Sequence, residues 1–275
     1  MHEFDLDYER PYVVMEYIEG SPYDHMLADG TMHEIPLQTR CEALHQVGRT
    51  LTEAHRKGII HRDIKPGNIR GFYPPYLLDF GIALQVKELA QARNEPEVGT
   101  GIYMPPAGEP IDALSDVYSF AVVVYEVLLG QHPIFTPQTI DKTVIGTRQR
   151  AGELLQKRAW RIPGHIPDEE LPPELRGCDL SGLDGVFERA FGRRRKRHKT
   201  PLAFLDDLNA ALAAAMLTAP ADGTISQAAQ RPPAQPIPTE QRFTEQEASR
   251  DQKRSRRLFS ALRRLLPVSL GLILL

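Results

Sequence analysis

Eight consecutive residues, His61-Arg62-Asp63-Ile64-Lys65-Pro66-Gly67-Asn68, place a carboxylate, an amine and a carboxamide in one short stretch, and Asp79-Phe80-Gly81 brings a second acid eleven residues after the asparagine. A carboxylate beside a hydroxyl can orient it and take its proton, an effect typically worth roughly 10² to 10⁴ in rate. Carboxylate and amide oxygens together suit a hard cation such as Mg²⁺. A lysine is a compact point charge of the kind that balances a phosphate. Such a set fits a reaction limited by positioning and charge neutralisation rather than by covalent work. The tripeptide alone arises often by chance; the eight residues in order, with the second acid at a workable distance, are a far more specific pattern.

The elements around this stretch are those needed to hold it. Leu37, Cys41, Leu44, Val47, Leu51 and Ala54 recur at three-to-four spacing, which predicts an amphipathic helix over 37–57 closed by Gly58. Short apolar pieces at Ile59-Ile60 and Tyr76-Leu77-Leu78 are expected as small strands framing a functional loop. The run PYVVMEYI over 11–18, ended by Glu19-Gly20-Ser21-Pro22, predicts a strand and turn that need a sheet partner. Ser115 to Leu129 is apolar nearly all round, as in a helix buried at the centre of a domain. Further helices are expected over 137–160, 183–191 and 202–217.

The loop and the Asp79-Phe80-Gly81 motif together resemble the catalytic loop and metal-binding motif of the protein kinases, and the chain is similar to the bacterial Hanks-type serine/threonine members. The resemblance implies an α+β fold: a mostly helical large lobe preceded by a remnant of the small-lobe sheet and hinge, over residues 1–217. It implies ATP and Mg²⁺ as cofactors and Ser and Thr hydroxyls of proteins as acceptors. Asp63 would be the proton acceptor, Lys65 the cation on the transferred phosphate, and Asn68 and Asp79 the metal ligands. Arg62 would pair with an activating phosphate, and Thr100 would contact Asp63 and Lys65. Met15 would guard the adenine pocket, with backbone groups of Glu16 and Ile18 binding the base. Gly99-Thr100-Gly101-Ile102-Tyr103-Met104 resembles the segment that receives the substrate. Asp116 would tie the buried helix to the catalytic-loop backbone, although a bare acid there could equally be a first-turn residue favoured by the helix dipole.

The sequence departs from the family pattern in three places. No Gly-rich loop, strand lysine or paired helix glutamate precedes residue 11, so the chain by itself is expected to have very low kinase activity. Ala107 stands where the family has a glutamate, so its usual partner, matched by Arg197, must pair with Glu109 or face solvent. No Ser, Thr or Tyr lies between Ile82 and Val98, leaving Glu95 or Glu97 as the acids that could serve Arg62. The first two departures favour the alternative of a pseudokinase that binds partners without turnover, while the intact Asp63, Asn68 and Asp79 favour the enzyme. Lys65 and the 99–106 segment disfavour a small-molecule phosphotransferase.

A formal net charge of -3 argues against a chain built to hold nucleic acid, and the basic run 193–199 reads as a solvated turn between helices. The two cysteines, Cys41 and Cys178, read as free thiols. Residues 218–257 read as a flexible linker. Within 258–275, Arg263 and Arg264 precede the uncharged run Leu265–Leu275, which is expected to begin a span anchoring a cytoplasmic domain to the inner membrane. Nothing in the sequence supports a homodimer.

Overall fold

Residues 113–129 are almost all apolar, and the chain wraps its other helices around them. The computed structural model describes residues 3–5, 12–14, 16–80, 101–135, 144–157 and 159–218. Before Tyr17, β1 (Glu3–Asp5) and β2 (Tyr12–Val14) pair antiparallel, with Phe4 opposite Val13. β1 is the sheet partner that the apolar run required. The strand expected over 11–18 stops at Val14, and Glu16–Ile18 are not in a strand.

From Tyr17 onward a second compact unit begins. It holds α1 (Tyr23–Ala28), α2 (Leu37–Arg56), a short ladder of β3 (Ile69–Arg70) and β4 (Tyr76–Leu77), then α3 (Ala113–Leu129), α4 (Val144–Gln156), α5 (Ser181–Phe191) and α6 (Pro201–Leu217). The α+β class therefore holds. The 59–60 strand is a correction: the Ile59 N–H goes to the Ala54 carbonyl at 2.9 Å, so the end of α2 takes the donor a ladder would have used. The helix expected over 137–160 is described only over Val144–Gln156.

Helix α3 starts at a capping box. The Asp112 carboxylate accepts from the Leu114 and Ser115 N–H groups, while the Ser115 hydroxyl accepts from the Asp112 N–H. It ends at Gly130, whose φ of 76° and whose approach to the His33 ring leave no room for a side chain. Between these ends every residue from Ser115 to Leu129 is buried. Gly48 lets α2 lie close to α3 and α6, since a Cβ there would meet Leu205 at 2.5 Å. Fully buried Arg40 on α2 donates to the Ile35 and Val127 carbonyls and to Glu174, so α2, α3 and the 173–175 turn share one cation.

The segment after Gly101 is fixed to this frame from two sides. Arg197, fully buried, donates to both oxygens of Glu109 at 2.6 and 2.9 Å, and its guanidinium lies 4.9 Å from the centre of the Tyr118 ring. Gly108, at φ 88°, turns the chain so that Glu109 reaches the arginine from two residues beyond Ala107. Nearer the start, the Tyr103 hydroxyl donates to Glu126 of α3 at 2.9 Å. The basic run 193–199 is a turn between α5 and α6, as expected, but Arg194 and Arg197 are committed to Asp112 and Glu109.

Two outcomes follow from these contacts. Arg197→Ala removes the partner of a largely buried carboxylate and should lower the stability of the domain by roughly 3–5 kcal/mol in thermal or urea melts; an unchanged melt would mean the pair contributes nothing. Burial pushes the Glu126 carboxyl up to about 7 from 4.5, against the opposing Tyr103 hydrogen bond. Between those values the unfolded chain has released a proton that the folded chain keeps, so this group's contribution is complete below pH 4.5 and is lost as pH rises through about 7. Glu126→Gln removes that loss. Urea melts across the window should show the variant gaining on the parent chain as pH rises, by a sum of order 1–3 kcal/mol.

Candidate active site

The 61–68 loop is held by a buried acid from α3. Asp116 accepts from the backbone N–H of His61 at 2.7 Å and of Arg62 at 2.9 Å, and His55 of α2 meets the same carboxylate at 2.8 Å. The tether expected of Asp116 is present, and it sits in the first turn of the helix rather than at its start. Arg62 adopts φ 71°, a conformation unfavourable for a residue with a Cβ. Half-buried, its guanidinium has no hydrogen bond or ion pair among the described residues.

His61 is fully buried and clamps two segments of the site. Its Nε2 lies 2.9 Å from the Leu78 carbonyl and its Nδ1 accepts from the Asp63 N–H at 3.3 Å, which places the proton on Nε2. Burial holds the imidazole below its usual range, so it stays neutral, although the charges of Asp116, Asp63 and Asp79 pull the other way. Both Asp63 and Asp79 therefore lie close enough to the same ring to act on it. The Phe80 ring packs on His61 at 4.6 Å between centroids.

Asp63 is 5% exposed, and one of its oxygens gathers the neighbouring functional groups. Lys65 Nζ donates to Oδ2 at 2.9 Å, and Asn68 Nδ2 donates to the same oxygen at 3.3 Å and to the Asp63 carbonyl at 2.8 Å. With its amide nitrogen committed there, Asn68 presents Oδ1 as a pure acceptor, without a protein donor among the described residues. Asp79 follows Leu78, whose N–H goes to the Asn68 carbonyl at 2.8 Å, and it turns out of β4 at φ 64°. Its carboxylate has no hydrogen bond or ion pair among the described residues. A carboxylate and an amide oxygen, each without a protein donor among the described residues, are the ligand types that suit Mg²⁺.

The structure thus brings Asp63, Lys65, Asn68 and Asp79 together, with Arg62 beside them. Ile18 lies near this loop through β3: Arg70 donates to the Gly20 carbonyl at 2.8 Å and reaches the Ile18 carbonyl at 3.5 Å. Glu16 is exposed and belongs to the unit before Tyr17. Met15, Thr100, Glu95 and Glu97 lie outside the described residues. The two residues that sequence reading missed are His55, six positions before His61, and Asp24 of α1, whose carboxylate covers Gly67, 2.9 Å from where a Cβ would stand. The unbroken apolar pattern of α2 gave no sign of the first, and α1 is too short to show a period.

The sequence pattern described as the protein kinase domain matches residues 1–176. The serine/threonine-protein kinase PknB of Mycobacterium leprae is 31% identical over 207 residues, which cover 72% of this chain and 30% of the relative. A probable serine/threonine-protein kinase PknB of Bifidobacterium longum is 37% identical over 170 residues, covering 58% of this chain and 23% of the relative. Among solved structures, the PknI kinase domain of M. tuberculosis aligns with TM-score 0.45 and 23% identity, covering 72% of this chain and 65% of that one. The chain spans less than a third of the length of the curated relatives it matches. On the matched residues and the motifs they contain, the chain belongs to the protein kinase domain family.

Proposed function

We propose that this chain forms the large lobe of a serine/threonine protein kinase, which transfers the γ-phosphate of ATP to Ser and Thr hydroxyls of proteins. The observation that carries the reading is the shared oxygen of Asp63, held by Lys65 and Asn68, with Asp79 one residue past the Leu78 N–H that bonds the Asn68 carbonyl. In this reading Asp63 orients the acceptor hydroxyl and takes its proton. Lys65, tied to that carboxylate, keeps a positive charge where the transferred oxygens gather negative charge. Bound ATP and Mg²⁺ supply the phosphoryl group and its charge neutralisation, with Asn68 and Asp79 as oxygen ligands. His61 and Asp116 fix the loop that carries these groups. Met15, Glu16, Ile18 and Thr100 enter the proposal on the family pattern alone, as do the hinge contacts to adenine.

The 275 residues contain no Gly-rich loop and no lysine–glutamate pair of the family's kind. The test therefore compares the chain alone with the chain joined, ahead of Met1, to the small lobe of a PknB-type relative. The joined form should phosphorylate Ser/Thr peptides, and the chain alone should do so far more slowly. Asp63→Asn should cut transfer at least about a hundredfold without changing the melting curve, and Asp79→Asn should abolish it by removing a metal ligand. Transfer that ignores both substitutions sinks the proposal. Nucleotide-independent partner binding with no transfer by the joined form establishes the non-catalytic alternative instead.

A second part of the proposal concerns location. Arg254–Arg264 followed by Leu265–Leu275 reads as a segment that contacts an anionic membrane, attracted by its basic residues and held by its apolar ones. No helix among the described residues is long and apolar enough to cross a membrane, and 254–275 lie outside them. The chain should sediment with phosphatidylglycerol vesicles and cease to do so when residues 254–275 are deleted; equal sedimentation of both forms rules the segment out.

A further inference from the structure

His132 stands just past the end of α3, and each of its ring nitrogens holds backbone. Nδ1 accepts from the Ile134 N–H at 3.1 Å and the Phe135 N–H at 2.9 Å. A nitrogen that accepts two such bonds carries no proton, so the hydrogen is on Nε2, which donates to the Ile102 carbonyl at 3.1 Å. The ring meets Tyr103 edge-on at 5.8 Å and lies tilted against Phe135 at 5.3 Å. Desolvation pushes its pKa down to about 4, so this tautomer persists at neutral pH. Ile102 and Tyr103 are therefore fixed independently: Ile102 by its carbonyl to His132, Tyr103 by its hydroxyl to Glu126. Both anchors belong to α3 or to the turn that leaves it.

We propose that His132 is a positioning residue for the acceptor peptide: its Nε2–H fixes the Ile102 carbonyl and so sets the register in which the 101–104 turn meets the peptide. The identity of the peptide rests on the kinase reading; the clamp itself does not. A role confined to bracing the 130–135 turn would need only Nδ1, so the two nitrogens separate the two roles. Asn puts an acceptor where Nδ1 stands and nothing at the outer nitrogen, whereas Gln puts a donor near Nε2 and gives up the inner acceptor.

Hydrogen exchange on the 275-residue chain reads the clamp without catalysis, at the Met104 N–H that bonds the Gly101 carbonyl at 3.3 Å. His132→Asn should speed that exchange about three- to tenfold, the equivalent of one lost hydrogen bond, and His132→Gln should restore it. In the form joined to a small lobe, His132→Asn should raise the peptide KM by a similar factor with kcat retained. Parent-like exchange in His132→Asn, equal loosening in both variants, or an unmoved KM overturns the proposal. The expected exchange pattern in the chain, beside a joined form that transfers no phosphate, establishes the clamp and refutes the kinase reading instead.

Discussion

A single carboxylate under the loop decides whether the functional groups can meet. Asp116 is 1% exposed and accepts from two successive backbone N–H groups, those of His61 and Arg62. The second belongs to a residue at φ 71°, a backbone state that costs of order 1–3 kcal/mol and persists only where the surroundings enforce it. Hydrogen bonds to a charged acceptor contribute about 1.5–3 kcal/mol each, enough to offset that cost. The strained turn at Arg62 is what sends the next residue, Asp63, back towards Lys65 and Asn68. Because Asp116 lies on α3, which is buried along its length, the loop inherits the rigidity of the best-packed element in the fold.

The segment after Gly101 uses the same frame by different means. The family resemblance sets Ala107 where a glutamate is expected, and a lost partner would leave the fully buried Arg197 uncompensated. Gly108 solves this locally. Its left-handed conformation reverses the chain so that Glu109 makes a bidentate pair from a shifted position. The requirement that survives is a charge in one place, not a residue type at one alignment column. The stacking of Arg197 on Tyr118 then connects this pair to α3.

Much of the site was legible because its residues are close in sequence. Asp63, Lys65 and Asn68 lie within one turn-rich stretch, so their spacing alone nearly dictates their meeting. The core helices were legible for a related reason: 37–57 carries a clear period, and 115–129 is too apolar to lie on a surface. Arg197 announced its pairing only as a choice between Glu109 and solvent, since the turn at Gly108 had to be seen. Arg40 gave no sign at all. It occupies an ordinary polar position in the α2 pattern, and the partners that justify its burial are the Val127 carbonyl and Glu174, 87 and 134 positions away. The strand expected at Ile59-Ile60 failed because β-branched residues state a preference, while the free carbonyls at the end of α2 had first claim on the Ile59 N–H.

Two histidines show one device used twice around α3. His61 and His132 are each kept neutral by burial, each donates from Nε2 to a backbone carbonyl, and each accepts a backbone N–H at Nδ1. A lysine or asparagine could not do this over the same span, because neither places a donor and an acceptor at opposite ends of a rigid ring. The His61 clamp joins Leu78, the neighbour of Asp79, to Asp63; the His132 clamp joins the 101–104 turn to the segment that leaves α3. Protonating either ring would turn its accepting nitrogen into a donor facing another donor, so both clamps depend on the imidazoles remaining uncharged. Burial in the shell around α3 therefore does more than stabilise the domain: by disfavouring the imidazolium, it keeps the two halves of the site tied to one helix.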